Sequence, residues 1–314
     1  MEVPVKTSLF EWPPDAIPSI RKIHNLDTPG RLEEAINIFE EWIKKQDHFV
    51  KKDFSREYLE KCIVANKGSV EKAKTQLDSL CTLKTLMPHF FTMHNLKTDF
   101  NVILDNQLLS VFPLPKMTDD FYRIYMIKLK TKEFNDKIYM AYYQFNIIIS
   151  EYIRAQDYSN GFIIILDYQD VNIMDLVTSI NPLEFQQFMT IIKGFGIRIK
   201  AIHILTKSKA VDVLVKMVKP FLSQKIANRI FIHKTIKQLH AEVPQDLLPK
   251  EYEGKEKSLQ DITKQWIEEL SAEQNVEYIK MMSKACTNEQ LRQSDKFNNE
   301  YMGMSGSFRN LKVD

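Results

Sequence analysis

The segment from Gly161 to Asp167, Gly-Phe-Ile-Ile-Ile-Leu-Asp, constrains the fold more strongly than any other part of the sequence. It is a short, continuous run of bulky apolar residues, rich in β-branched side chains and bounded by turn formers, which indicates a strand. Because the run lacks polar alternation, the strand is expected to be covered on both faces, as in a parallel sheet. We therefore predict an α/β domain built around it.

Strand and helix patterns alternate on both sides of this segment, which is typical of a mostly parallel sheet with helical connections. We predict further strands over residues 122–130, 197–205 and 230–233, and helices over residues 137–154, 182–193 and 211–218.

The N-terminal residues have a different pattern. Leu32, Ile36, Phe39 and Ile43 recur at three- and four-residue spacing, which predicts amphipathic helices and a helical lobe. We predict three parts: an N-terminal helical lobe over residues 1–95, the α/β domain over 96–255, and a C-terminal helix and extended tail over 256–314. The C-terminal helix is predicted over 258–282 and a surface tail over 287–314.

The lack of catalytic sequence motifs argues against an enzyme. Eight glycines in 314 residues leave little material for phosphate-binding loops, and P-loop, GxSxG and HExxH motifs are absent. His203 and His233 lie in apolar strands, where a hydrogen-bonded core role is usual, and Asp167 is interpreted as a turn or capping residue. We therefore predict neither catalysis nor a metal or cofactor. A lipid-modifying enzyme remains an alternative that the missing nucleophile and metal clusters disfavour.

Cysteine usage and hydropathy bear on the compartment. The three cysteines are widely scattered without CxxC spacing, which fits a reducing environment. No stretch approaches the run of about 18 apolar residues that a membrane span requires. We expect a cytoplasmic protein whose contact with membranes is peripheral.

Positive charge is concentrated in one stretch of the chain. Residues 193–237 contain eleven Lys or Arg residues and one acid, whereas the whole chain carries a net charge of only +2. Such a block can meet nucleic acid or an anionic lipid surface, and each base contributes on the order of 1 kcal/mol near anionic headgroups. A solvated face without a partner is the alternative, and no nucleic-acid partner is predicted.

Bulky apolar side chains are unusually dense between residues 185 and 222. They are compatible with plain core packing and equally with the wall of an apolar cavity. The candidate ligand-binding residues are Phe185, Phe188, Ile191, Ile192, Phe195, Ile197, Ile199, Ile202, Leu214, Met217, Phe221 and Leu222.

The segment over residues 218–233, V-K-P-F-L-S-Q-K-I-A-N-R-I-F-I-H, and the later L-P-K-E-Y-E-G over 248–254 resemble the signature of the CRAL-TRIO lipid-binding family. The resemblance is to its animal branch of tocopherol and retinaldehyde carriers. Residues 161–167 and 198–203 resemble the first two buried strands of the family, so that the likeness covers roughly residues 30–255. Residues 306–314 are similar to the C-terminus of insect members.

The resemblance implies a pocket floored by the sheet, closed by a mobile gate helix at about residues 209–218, and occupied by one lipophilic molecule. In the tocopherol-carrier branch, bases near the gate bind phosphoinositide headgroups. The matching positions here are Arg198, Lys200, Lys225 and Arg229, all of which lie in the basic stretch. A fifth basic position of the family falls on Val64.

We therefore expect a monomeric intracellular carrier that binds and transfers a hydrophobic small molecule and docks on anionic membranes. Tocopherol, a retinoid, a carotenoid, a terpenoid or a similar lipid all suit an apolar pocket, and the sequence does not choose among them. The alternative is a module without cargo that recruits a phosphoinositide or a small GTPase.

Overall fold

Helices form the N-terminal lobe of the computed structural model, which describes residues 9–104, 108–130 and 134–292. Two of the helices begin at serine caps: the Ser55 side chain accepts a hydrogen bond from Tyr58 N, and the Ser69 side chain accepts one from Lys72 N. The lobe contains α1 (Ala16–Ile23), α2 (Arg31–Lys44), α3 (Arg56–Ala65) and α4 (Val70–Leu86).

A five-stranded sheet follows, and its strands lie side by side in chain order. The first two strands pair antiparallel, and every later pair is parallel, which confirms the mostly parallel sheet expected from the sequence. The strands are β1 (Leu109–Met117), β2 (Arg123–Leu129), β3 (Phe162–Asp167), β4 (Ile199–Leu205) and β5 (Ile230–His233).

The sequence pattern did not predict β1. This strand contains Pro113 and Pro115, which have no N–H to donate and argue against a strand. It tolerates both prolines because it is an edge strand that pairs only with β2, and its register shifts between Pro113 and Met117.

Helices connect the strands and cover the sheet. The long helix α7 (Asp136–Gln156) is capped by Asn135, and α9 (Pro182–Gly194) is capped by Asn181. The remaining helices of this region are α5 (Leu96–Asp99), α6 (Asn101–Leu104), α8 (Ile173–Thr178), α10 (Val211–Val218), α11 (Gln224–Ala227) and α12 (Ile236–His240).

The lobe and the sheet domain share a packed interface. Helix α9 approaches α4 so closely that a Cβ atom added to Gly194 would lie 2.9 Å from Leu83 Cδ1. A larger residue at position 194 would therefore have to displace the end of the Leu83 side chain.

The single C-terminal helix predicted over residues 258–282 is wrong. Two helices occupy this region, α13 (Leu259–Leu270) and α14 (Glu273–Ser283). The break is stabilised by Asn275, whose Nδ2 donates a hydrogen bond of 2.7 Å to the carbonyl of Glu269. The same carbonyl also accepts a hydrogen bond from the N–H of Ala272 at 3.2 Å, so the Asn275 side chain adds a second donor at the end of α13.

The first residues of the predicted surface tail are packed against the helical lobe. Thr287 is buried, and the N–H of Asn288 donates to the carbonyl of His48 at 2.7 Å. Arg292 makes a two-pronged ion pair with Asp78 on α4, at 2.7 and 2.8 Å. The prediction for residues 293–314, including the insect-like ending, falls outside the described residues.

A buried ion pair joins the lobe to the rest of the chain. Lys84 on α4 lies 2.9 Å from Glu151 on α7, and their side chains are only 1% and 5% exposed. The Lys84 ammonium group also donates to the carbonyl of Met282 at 2.6 Å, and Glu151 accepts a hydrogen bond from the Tyr58 hydroxyl. Helices α3, α4, α7 and α14 therefore meet at one polar cluster inside the protein.

Substituting one member of this cluster should destabilise the fold strongly. The variant Lys84→Ala leaves Glu151 buried without its counter-charge, and we expect a loss of about 3–5 kcal/mol in the free energy of unfolding, measured by urea denaturation. The control is Lys44→Ala, which removes an exposed pair with Glu40 and Glu41 and should cost at most about 1 kcal/mol. Similar losses in the two variants would contradict a special role for the buried pair.

Candidate ligand cavity and basic surface

A cavity of about 210 Å³ lies between the sheet and the helices that cover it. One face of the sheet forms its floor, because alternate residues of a strand point to the same side. Ile164 and Leu166 on β3 line the cavity, and Tyr125 and Ile127 on β2 do the same. Helices α7, α9 and α10 supply the remaining walls.

The lining is apolar and aromatic, and none of its described residues carries a charge. Its polar groups are mostly committed to each other: the Tyr125 hydroxyl donates to Asn146 Oδ1 at 3.0 Å, and the Tyr139 hydroxyl donates to the carbonyl of Leu176 at 2.6 Å. The Tyr143 hydroxyl is buried and has no hydrogen-bond partner among the described residues. The cavity thus offers a large apolar contact and few free polar contacts.

Nine of the twelve candidate ligand-binding residues line this cavity. They are Phe185, Phe188, Ile192, Ile197, Ile199, Ile202, Leu214, Met217 and Leu222. The sequence pattern therefore located the wall formed by α9, β4 and α10, while a ligand contact of these residues stays a prediction.

The other three candidates lie elsewhere. Ile191 is fully buried on α9 but does not line the cavity, because it points away from that wall of the helix. Phe195 lines a second, smaller cavity. Phe221 packs edge-on against Phe185, with ring centroids 5.4 Å apart. It therefore contacts a lining residue without lining the cavity itself.

The wall formed by α7 was missed by the sequence analysis. Ile138, Tyr142, Asn146, Ser150 and Ile153 line the cavity, and their spacing of three or four residues marks one face of a helix. This periodicity was present in the sequence, but it does not distinguish a cavity wall from a helix face that packs against the core.

Helix α10 covers one side of the cavity, at the position of the expected gate. Leu214 and Met217 face inward and line the cavity, whereas Val213 is 42% exposed on the outside. No side-chain hydrogen bond caps the N-terminus of this helix at Ala210. The N–H groups of its first turn donate instead to the backbone carbonyls of Ser208, Lys209 and Ala210, at 3.4, 3.5 and 3.0 Å.

The four bases expected to bind a headgroup lie at the start of β4 and around α11. Lys200 forms an ion pair with Asp120, and its ammonium group lies 4.7 Å from the centre of the Tyr122 ring. Helix α11 ends at Ala227, so Lys225 and Arg229 do not share a helix face. Arg229 instead donates to the carbonyl of Lys200 at 3.4 Å.

Lys67 joins these bases although the sequence analysis did not select it. It lies in the turn between α3 and α4, is exposed, and adopts a positive φ of 57°. The charges of Arg198 and Lys225 are the main causes that lower its pKa, and Arg229 contributes to the same direction. Folding thus places Lys67, a base of the helical lobe, next to the four predicted bases. Lys67 lies about one helical turn after the buried Val64.

Residues interpreted as structural from the sequence have structural contacts. Asp167 is 1% exposed and accepts hydrogen bonds from Lys128 at 3.0 Å and from the Tyr252 hydroxyl at 2.5 Å. His203 Nδ1 and His233 Nε2 lie 2.9 Å apart between β4 and β5. Burial lowers the pKa of His203 to about 4, so this pair is neutral at physiological pH.

The described helices include none with the length and hydropathy needed to cross a bilayer.

Comparison with known proteins relates this geometry to curated relatives. A mouse protein named "Alpha-tocopherol transfer protein-like" is 38% identical over 97 residues, which are 30% of this chain and 28% of that protein. The human protein of the same name is 37% identical over the same shares. Clavesin-1 of Xenopus laevis is 30% identical over 99 residues, covering 30% of this chain and 29% of that protein. Each match thus spans less than a third of the relative.

One solved structure, described as "Crystal structure of Sfh5", covers 87% of this chain and 99% of its own chain, with 11% identity and a TM-score of 0.49.

Sequence models of two families match successive parts of the chain. Residues 28–99 match the family described as "Pinta-like, UBA domain", and they include α2, α3 and α4 of the helical lobe. Residues 110–254 match the family described as "CRAL/TRIO domain", and they include the whole sheet except its first residue together with the cavity helices. The resemblance drawn from the sequence is therefore confirmed, and residues 110–254 of this chain are a CRAL/TRIO domain.

Proposed function

We propose that this protein binds one hydrophobic small molecule in the cavity beneath α10 and transfers it between membranes without making or breaking bonds. The observation that carries the proposal is the uncharged, aromatic-rich cavity of about 210 Å³ inside a CRAL/TRIO domain. Members of this family bind and transfer lipophilic ligands. The partial likeness to proteins named for tocopherol transfer supports the same class of cargo.

The lining limits the chemistry of the cargo. A charged group enclosed by this wall would lose its hydration without gaining a counter-charge, which is costly. The enclosed part of the cargo is therefore neutral, as in tocopherols, retinoids, carotenoids and terpenoids.

Entry and exit of the cargo take place at α10. This helix has an inward face that lines the cavity and an outward face that exposes Val213, and its N-terminus lacks a side-chain cap. Local opening draws on segments of low stability, and an uncapped eight-residue helix is such a segment. Contact of its outer face with lipid would favour the open state.

Docking on an anionic membrane uses the basic surface near α11. Arg198, Lys200, Lys225 and Arg229 remain the proposed headgroup-binding residues, and Lys67 extends the set across the lobe. Their selectivity for a phosphoinositide over other anionic lipids is part of the proposal. The protein acts as a peripheral, cytoplasmic monomer in this scheme.

The proposed parts have separate roles. Among the described residues, those of the helical lobe up to residue 95 support the wall of the cavity domain, those between 96 and 255 hold the cargo, and those from 256 to 292 tie the two together. The contacts of Lys84 and Arg292 support this division, because each joins different parts of the chain.

A cargo test separates the carrier from the module that recruits a phosphoinositide or a GTPase without cargo. Protein purified from its source tissue should show one bound lipophile by native mass spectrometry. The variant Ile164→Trp fills the cavity from its floor, and it should lose the lipophile while keeping the far-ultraviolet circular dichroism of the wild type. The control Ile38→Trp adds the same ring at an exposed position of α2 and should retain the cargo.

Equal retention of the lipophile by Ile164→Trp and Ile38→Trp would place the cargo outside this cavity. Absence of any lipophile from wild-type protein would favour the recruiting module instead.

A vesicle test addresses the basic surface. The triple variant Lys67→Ala, Lys225→Ala, Arg229→Ala should bind vesicles containing phosphatidylserine roughly a hundredfold more weakly than wild type, because each base contributes about 1 kcal/mol near an anionic surface. Binding by the wild type should also fall as salt rises, since added ions screen exposed charges. Co-sedimentation at two salt concentrations measures both effects.

The matched control for the vesicle test removes three lysines distant from the basic surface. The variant Lys44→Ala, Lys280→Ala, Lys284→Ala changes the net charge by the same amount and should bind nearly as well as the wild type. Equal weakening by the two triple variants would mean that net charge, rather than this surface, governs the interaction.

A further inference from the structure

Strand β5 is the outermost strand of the sheet, and one side of its backbone is open. Among the described residues it pairs only with β4, in the parallel sense. The carbonyl of His233 accepts a hydrogen bond of 2.9 Å from the N–H of Thr206, at the end of β4. Because the backbone groups of successive strand residues point to opposite sides, those of Ile230 and Ile232 point away from β4.

These outward backbone groups have no backbone partner in the part of the chain that the structure describes. Neither Ile230 nor Ile232 makes a backbone hydrogen bond outside the pairing with β4. The next outward N–H, that of Lys234, donates to Gln238 Oε1 at 2.7 Å. The open part of the edge therefore consists of Ile230 and Ile232, and a side chain of α12 closes it beyond them.

The side chains along this edge are apolar and exposed. Phe231 is 38% exposed and Ile232 is 42% exposed, and as neighbours in a strand they lie on opposite faces of the sheet. The Phe231 ring stacks on His203 of β4, with ring centroids 5.2 Å apart. The edge thus combines apolar surface with open backbone groups, which are the two features by which an extended segment adds to a sheet.

Cations flank the apolar part of β5 at both ends. Arg229 precedes the strand, and Lys234 and Lys237 follow it, whereas residues 229–241 contain no acid. The two lysines are exposed, and none of the three cations forms an ion pair among the described residues. Their charge is therefore available to acidic groups of a partner.

The same charges disfavour pairing between two copies of this strand. An antiparallel pair of β5 strands would bring Arg229 of one copy close to Lys234 and Lys237 of the other, at both ends of the ladder. Like charges on paired strands repel, and flanking lysines are a common protection of edge strands against self-association. The charge pattern therefore selects an acidic partner over a second copy.

We propose that the open edge of β5 binds an extended segment of another protein, in which acidic residues flank a short apolar run. The backbone of this segment pairs with Ile230 and Ile232, and its apolar side chains cover Phe231. Its carboxylates meet Arg229 at one end of the strand and Lys234 at the other. Main-chain hydrogen bonds provide affinity in this mode, and charge complementarity provides specificity.

The site is separate from the cargo cavity, because none of its residues lines that cavity. It touches the proposed membrane-docking surface at Arg229 alone. A bound segment would cover this arginine, so partner binding and membrane docking would compete.

A short peptide tests the edge directly. The probe is the capped, fluorescently labelled peptide Glu-Glu-Val-Ile-Val-Glu-Glu, and its binding is measured by fluorescence anisotropy. Wild-type protein should bind it saturably with one-to-one stoichiometry. The reversed-charge peptide Lys-Lys-Val-Ile-Val-Lys-Lys should bind about tenfold more weakly or less, because it meets cations instead of unpaired counter-charges.

A backbone variant tests strand addition. Ile232→Pro removes an outward N–H without removing a bond to β4, and proline is tolerated at such a position of an edge strand. It should weaken binding of the acidic peptide about tenfold while the far-ultraviolet circular dichroism stays that of the wild type. The matched control Ile232→Val keeps the N–H and should bind within about a factor of two of the wild type.

A charge reversal tests the flanking cations. The double variant Lys234→Glu, Lys237→Glu should lose the acidic peptide and gain the lysine peptide. The control Lys264→Glu, Lys284→Glu makes the same change at two exposed lysines of the C-terminal helices and should keep the preference of the wild type.

Hydrogen exchange on the wild type keeps the test decisive if Ile232→Pro fails to fold. The N–H of Ile232 should exchange rapidly in the free protein and become protected when the acidic peptide is bound. The N–H of Phe231 points to β4 and should be protected in both states.

The proposal is overturned if Ile232→Pro and Ile232→Val bind the peptide equally, or if the peptide protects no amide of β5, because charge alone would then explain binding. Equal losses in the two double variants would overturn it as well. Self-association of the wild type that Ile232→Pro abolishes would assign the edge to a second copy. Loss of phosphatidylserine vesicle binding by Ile232→Pro, with peptide binding unchanged, would assign it to a membrane.

Discussion

The buried ion pair between Lys84 and Glu151 is the contact on which the arrangement of the whole chain depends. Charges this deep in a protein require a partner, because the surrounding atoms cannot replace the lost water. Lys84 belongs to the lobe, Glu151 to the helix behind the cavity, and the Met282 carbonyl that also accepts from Lys84 to the C-terminal helices. Separating the lobe from α7 would leave both charges unpaired, and moving the C-terminal helices would remove one acceptor of Lys84, so these contacts favour one arrangement of the three parts.

Helix α7 connects this polar cluster to the cavity. Its Tyr142 and Asn146 line the cavity, while Glu151 and Arg154, further along, contact the lobe. The helix therefore separates two environments: a neutral space for an apolar molecule, and a charged junction. Because Ser150 and Ile153 line both cavities, the two spaces share one thin wall.

Local patterns in the sequence predicted the helices and strands that can be recognised from their own residues alone. The bounds of α10 and β5 agree with the prediction, because each is a short apolar segment between clear turn residues. The strand β1 could not be recognised, because its prolines are acceptable only at a sheet edge, and an edge position is a property of the completed sheet. The division of residues 258–282 into two helices likewise involves contacts of Asn275 and Ala272 with the Glu269 carbonyl, which the helical periodicity does not reveal.

The candidate site was predictable to the extent that it follows from periodicity and from family resemblance. The apolar wall of α9 and β4 and the basic residues around α11 are visible as stretches of sequence. Lys67 is not, since it becomes relevant only when the lobe packs against the sheet domain. A sequence pattern also cannot distinguish a lining residue such as Ile192 from a buried neighbour such as Ile191.

The contacts of the C-terminal segment determine when, during synthesis, the helical lobe can complete its packing. Arg292 and Thr287 complete the packing of Asp78 and Thr85, which precede them by more than 200 residues. During synthesis, the helical lobe emerges first and must wait for nearly all of the described chain before its last partners leave the ribosome. Until then His48 and Asp78 lack their contacts with Asn288 and Arg292. The nascent lobe is therefore open to premature association with other chains.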